Sequence, residues 1–100
     1  MTDGMIPVDS VDAKKIGFTS DKFVRESYLW KEGNKIMVSF IESRVQRNGN
    51  FEGLCDAIHE LGFMVAVPTP SNMMRNFLNK HKFKQTYESN DGDSVEVWVK

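Results

Sequence analysis

The side chains best placed for chemistry fall in one short stretch, "RVQRNGNF", residues 44–51. Arg44, Gln46, Arg47 and Asn48 carry hydrogen-bond donors, and Gly49 permits positive φ and close approach of a ligand. An apolar run precedes the stretch, and Asn50 and Phe51 lead into a helix-like segment. A loop that opens onto a helix N-terminus presents unpaired N–H groups and the positive end of the helix dipole, a setting that binds anions and phosphates. The plainer alternative is a solvated loop whose glycine lets the chain reverse. Spacing alone favours that turn, because one glycine among scattered polar residues is a weak pattern.

Other groups with chemical potential stand singly. Glu42, at the end of the apolar run, could act as a general base, although an edge carboxylate is more often simply solvated. Tyr87 could supply an acid, or be a half-buried strand tyrosine. His59 falls on a helix's solvent side and His81 in a lysine cluster, and neither has a spaced second ligand for a metal. Cys55 has no paired histidine and reads as buried filler. Arg75, Lys80, Lys82 and Lys84 crowd ten residues. Such a cluster complements a helix C-terminus, or else meets a coenzyme phosphate or nucleic-acid backbone. Too few aromatics interleave these charges for base stacking, which disfavours a nucleic-acid partner. The six methionines read as core filler.

The elements that must position these groups can be read from pattern. Residues 5–8, "MIPV", suit a short edge strand because Pro7 cannot donate to a central ladder. Asp9 and Ser10 can cap a short helix that Gly17 ends. "SDKFVRESYLW" fits a helix or a strand. "SYLWKE" and "KIMVSFIES" flank Gly33-Asn34, a hairpin signal. In the second strand Ile36, Val38 and Phe40 point one way and Met37, Ser39 and Ile41 the other. Both faces are largely apolar, so that strand should be central and covered on both sides. Leu54, Ala57, Ile58 and Leu61 fall at helical spacing before Gly62. "FMVAV" reads as a buried strand ended by Pro68 and Pro70, and a second helix begins at Ser71 with Met74, Phe77 and Leu78 inward. A closing hairpin turns at Asn90, Asp91 and Gly92. The sum is an α/β (α+β) architecture with a mixed central sheet.

Bulk properties set outer limits. One hundred residues, 40% hydrophobic and 27% charged, suit a single domain over residues 1–100 that buries one core. The net charge of −1 provides no global attraction for nucleic acid or anionic membrane. One cysteine fits a reducing compartment. No signal peptide or membrane-spanning run is legible, so the expected location is cytoplasmic.

The order strand, loop, helix, strand, helix, hairpin resembles the GCN5-related N-acetyltransferase (GNAT) family over residues 28–100. Gln46-x-x-Gly49-x-Phe51 is similar to the first two fixed positions of its Q/R-x-x-G-x-G/A loop. "SNMMRNFLNKHKF" stands where the family has an asparagine-led helix, with Ser71-Asn72 at its start and Phe83 at the family's phenylalanine. The resemblance implies acetyl-coenzyme A as cofactor and an amine of a protein or small molecule as acceptor. Its diphosphate would meet Gln46, Arg47, Asn48, Gly49, Asn50 and Phe51, with Ser71 and Asn72 at the second helix. The pantetheine would run beside Ile41, Glu42, Ser43 and residues 67–69. Ser43 could bond the thiolate or end its strand. Glu42 and Tyr87 are the implied catalytic candidates. Three positions depart from the family: Phe51 replaces Gly or Ala, Leu78 the tyrosine acid, and Lys82 the glycine before the final phenylalanine. The portion before the central strand is short, as in phage-encoded members. These departures motivate an alternative, a non-catalytic interaction or structural protein that has lost the cofactor. A sheet with a shortened wall can also complete itself in a homodimer.

Overall fold

The computed structural model describes residues 1–45 and 49–100. Gln46, Arg47 and Asn48, expected at the anion loop, lie outside the described residues. Edge strand β1 (Gly4–Pro7) leads to a short helix α1 (Val11–Lys15), whose N-cap Ser10 accepts the Ala13 N–H at 3.2 Å. Strands β2 (Tyr28–Glu32) and β3 (Lys35–Phe40) form a hairpin through Gly33 at φ 61. Then come α2 (Asn50–Glu60), β4 (Met64–Pro68), α3 (Asn72–Lys80), β5 (Lys84–Asn90) and β6 (Asp93–Val99). The strands make one sheet in the order β1-β2-β3-β4-β6-β5. Strands β3 and β4 pair in parallel and the other neighbours antiparallel. This is the mixed α+β architecture read from the sequence.

The ambiguous segment ahead of β2 is neither helix nor regular strand. Phe18 and Phe23 are fully buried with ring centroids 5.2 Å apart. Phe23 bridges to Ser43, and Val24 N–H donates to the Glu42 carbonyl at 2.9 Å. Residues 22–24 thus prolong the course of β2 beside the end of β3. The turn closing β5 and β6 narrows to Asp91 (φ 51) and Gly92 (φ 87), with Asn90 paired to Asp93. Two successive positive φ values are what a two-residue hairpin of the right twist demands.

The helices share a single core with one face of the sheet. Leu54, Cys55 and Ile58 of α2, Leu78 of α3 and Ala13 of α1 cluster with Leu29, Ile36, Val65 and Trp98. Each fully buried leucine or isoleucine contributes roughly 1.5–3 kcal/mol. The opposite face carries Met5, Trp30, Met37, Ala66 and Val99, in register across five strands. Met5 is 56% and Trp30 40% exposed. Two sequence expectations are corrected here. Strand β3 is covered by helices on one side only, and none of the methionines belongs to the fully buried core. The cause is the register itself, which sends Met5, Met37 and Met64 to the open face. Strict alternation in β3 also fails, because the pairing shifts from Leu29·Val38 to Tyr28·Phe40. Ser39 is an extra residue, a β-bulge, and it turns Phe40 outward to 45% exposure.

A buried ammonium anchors the N-terminal residues. Lys31, 7% exposed, donates to the Asp3 carboxylate at 2.9 Å and the Gly33 carbonyl at 2.7 Å. Its Nζ lies 5.1 Å from the centre of the Phe63 ring. A lysine this deep requires such partners.

Two predictions follow from this packing. Ile58→Ala should destabilise the chain by about 2–5 kcal/mol through the cavity it leaves, read by urea denaturation. The second concerns pH. The Lys31 hydrogen bond, then the Gly33 N–H, holds the Asp3 carboxyl below its ordinary value. A folded pKa below the unfolded one adds stability at pH above about 3.9, and that stability disappears as pH falls through the lower folded value. The Asp3→Asn variant should therefore lose less melting temperature than the parent on going from pH 5 to strongly acid solution; equal losses would refute the assignment.

Candidate functional site

One parting of strands creates the site. Met64 N–H donates to the Asn34 carbonyl at 2.8 Å, and rungs on one edge of a strand recur at every second residue. Residue 68 would come next after Ala66 on that edge, and Pro68 has no N–H to give. Pairing accordingly ends at Met37·Ala66. On the other edge the ladder continues, with Val65 N–H to the Lys100 carbonyl and Thr69 N–H to the Glu96 carbonyl, both 2.8 Å. Strand β4 stays with β6 and leaves β3. The Ser39 bulge lies on the stretch of β3 that loses its neighbour.

A cleft of about 550 Å³ lies between the residues that follow β3 and the starts of α2 and α3; no residue of β4 lines it, and residues 67–69, expected beside the pantetheine, are outside its lining. Ile41, Glu42 and Ser43 continue β3 along one side, above the buried Phe23 ring. Gly49 and the first turn of α2, with Asn50, Phe51 and Glu52, form the second wall. Ser71, Met73, Met74 and Phe77 of α3 form the third, and Lys80 and His81 lie at its far end. The α2 N-cap is Gly49 at φ 84, which supplies no side-chain cap for the first-turn amides. The N-cap of α3 is Ser71, whose Oγ accepts Met74 N–H at 3.2 Å.

The strand end is braced from beneath. Glu42 N–H donates to Ser27 Oγ at 3.1 Å, and the carboxylate side chain of Glu42 is exposed at the cleft. Asn50 Nδ2 donates to Ser43 Oγ at 3.0 Å and to the Lys22 carbonyl at 3.1 Å. Ser43 Oγ donates in turn to the Val45 carbonyl at 2.8 Å. The start of α2 is thereby tied to the end of β3 across the loop.

The far wall is aromatic. Phe51, half-buried, meets Phe77 edge-on with centroids 5.2 Å apart, and Phe77 stacks on His81 at 4.1 Å. The Glu52 carboxylate reaches within 4.0 Å of His81 Nδ1. Phe51 therefore lies against α3 as part of the cleft wall.

The sequence-derived residues separate into two groups. Ile41, Glu42, Ser43, Gly49, Asn50, Phe51 and Ser71 are brought together around the cleft. Asn72 is exposed at the start of α3 and does not line it. Tyr87 is 65% exposed on edge strand β5, where its phenol accepts Gln85 Nε2 at 3.3 Å, away from the cleft lining. The Cys55 thiol is pushed up to about 12, chiefly by burial, which fits packing and not nucleophilic chemistry. Sequence reading overlooked the Ser39 bulge and the aromatic wall. The proline did carry a signal: its missing N–H falls on the edge facing β3.

No protein-family model and no curated protein matches this chain. One solved structure does. The crystal structure of anti-CRISPR protein AcrVA5 aligns with a TM-score of 0.53, over 95% of this chain and 98% of that chain, at 13% identity. At such identity the likeness is one of fold, and it extends over nearly the whole of both chains. No described helix is long and apolar enough to cross a membrane.

The arrangement can hold an extended ligand along the unpaired edge of β3 and an anion against the start of α2. Gly49 makes the turn that leads into α2. A Cβ there would meet nothing within 4 Å, so any penalty comes from its positive φ. Gly49→Ala should cost about 1 kcal/mol or more, and Gly49→Asn clearly less. Comparable urea midpoints for the two variants would show that the left-handed turn is not required.

Proposed function

We propose that this chain is an acetyl-coenzyme A-dependent N-acetyltransferase of the GNAT type, acting on an amine of a protein or small molecule. The observation that carries the reading is the one cleft that joins the residues following β3 to the α2 N-terminus, on a strand whose pairing with β4 ends at Met37·Ala66. Pantetheine is an extended chain with two amides, and it suits the strand edge that Pro68 leaves without a partner. The diphosphate that follows suits the positive end of the α2 dipole, beside the Gly49 turn. The order of elements and the Gly49 turn, at which the sequence resembles that family, support the same donor. Such a donor belongs to a cytoplasmic setting.

In this reading the chemistry is direct transfer. The acceptor nitrogen attacks the thioester carbonyl carbon, the carbon–sulfur bond breaks, and the sulfur leaves as a thiolate. Glu42, the carboxylate at the strand end, takes the proton that the nitrogen sheds. Among the described residues no tyrosine lines the cleft. Leu78 is fully buried and cannot donate, and Tyr87 points to solvent on β5. Solvent supplies the proton for the thiolate, and Ser43 Oγ can at most hydrogen-bond that sulfur.

Isothermal titration with acetyl-coenzyme A tests the donor. Binding at or below millimolar ligand is expected, and no heat at that concentration overturns the reading. Glu42→Gln should retain the cofactor while lowering turnover by about a hundredfold, the scale of general-base catalysis.

Phe51 favours a second reading, in which the chain is a non-catalytic interaction or phage structural protein of this fold. Its ring stands in the cleft wall where the family loop has a small residue. The fold is shared with an anti-CRISPR protein, a likeness that concerns architecture. Phe51→Gly separates the two readings: binding gained only in the variant favours the non-catalytic one, and tight binding by the parent removes it.

A further inference from the structure

The corner between β4 and α3 forms one lip of the cleft, with Ser71, Met73 and Met74 facing into it. One residue of β6, Glu96, holds that corner at both ends. Its carbonyl accepts Thr69 N–H at 2.8 Å, where the chain leaves β4. Its carboxylate accepts Arg75 Nη2 at 2.6 Å on one oxygen, within the first turns of α3, and Trp98 Nε1 at 2.6 Å on the other. The Glu96 side chain is 16% exposed and Trp98 only 9%, so a packed indole fixes the carboxylate that fixes the helix. Thr69 stands at φ 41, a left-handed conformation that a β-branched residue keeps only where its surroundings enforce it. A further polar tie from the end of α3, Lys100 Nζ to the His81 carbonyl at 2.9 Å, lies at the opposite end of the helix.

We infer that Glu96 is a positioning residue that sets the width of the cleft by fastening its α3 lip to β6. The ligand used to test this rests on the acetyltransferase reading, while the geometry does not. Charge-assisted bonds this short, with one partner nearly buried, hold direction as well as distance. When Arg75 lets go, the lip keeps Thr69 but loses the helix beyond it. The cleft then widens without unfolding the core, since Leu78 remains packed beneath.

Arg75→Ala and Arg75→Lys provide the test. Acetyl-coenzyme A should bind Arg75→Ala about tenfold more weakly than the parent, the equivalent of one lost charge-assisted hydrogen bond, and Arg75→Lys should recover most of that loss. A second readout needs no ligand. In methyl-labelled protein, the Met73 and Met74 resonances should move in Arg75→Ala and return in Arg75→Lys, while Met5 on the open sheet face stays put. Unmoved Met73 and Met74 resonances overturn the inference, as does unchanged affinity where the parent binds. If the parent binds no acetyl-coenzyme A, the functional reading falls and the methyl spectra alone decide the role of Glu96.

Discussion

The missing N–H of Pro68 is the constraint on which the rest of the molecule turns. A parallel pair joined by a helical crossover would ordinarily stay zipped along its shared length, since every unpaired rung exposes backbone groups that prefer a partner. Here the rung that would follow Ala66 cannot form on the β3 side. Strand β4 remains paired to β6 through Val67 and Thr69, so the separation is one-sided. The Ser39 bulge adds its own bend to the strand left behind. Sheet continuity is given up at one place, and the α2 and α3 helices, which must follow their strands, are spread with it. The cleft is the space between them.

That arrangement places heavy demands on one face of the sheet. Helices α1, α2 and α3 all pack on the side of Ile36 and Val65, and among the described residues no further helix lies on the other side. The hairpin of β5 and β6 compensates in part. Its twist carries Glu88 to within 3.3 Å of Lys35, three strands away in the sheet order, and Ala66 and Val97 are buried on that side. Met5 and Trp30, farther from the hairpin, stay exposed. Residues that look like core by composition become surface, because the register and not their hydrophobicity decides which way they point.

Much of this was legible from the sequence where local chemistry dictates local form. Ser10 and Ser71 cap helices as their side chains predict, Gly33-Asn34 and Asp91-Gly92 make the turns, and Leu54, Ile58 and Leu78 face the core at helical spacing. Ile41, Glu42 and Ser43 after β3 and Gly49 to Phe51 at the start of α2 line one cleft, since a strand–helix junction brings them together. What escaped depends on relations between distant segments. Nothing local says that Ser39 is an extra residue, because a bulge exists only against the partner strand. Nothing local says that Phe51 meets Phe77, or that Tyr87 lies on the outer strand of the hairpin. The methionines misled for the same reason: their residue type suits a core, but helix distribution decided which side of the sheet had one.

Phe51 brings these threads together. A small residue at that position would leave the first turn of α2 open to whatever lies in the cleft. The phenyl ring instead leans on Phe77, which is itself stacked on His81, so the wall beside the α2 N-terminus is built from apolar edges that α3 supports. The Gly49 turn and the Glu52 side chain line the same cleft as this wall. Space for an extended ligand persists along β3, since the ring occupies the helical side of the cleft and not the strand edge opened by Pro68. The two sides of the cleft therefore rest on different causes: the β3 side on main-chain geometry that the proline enforces, and the α2 side on side chains that α3 holds in place.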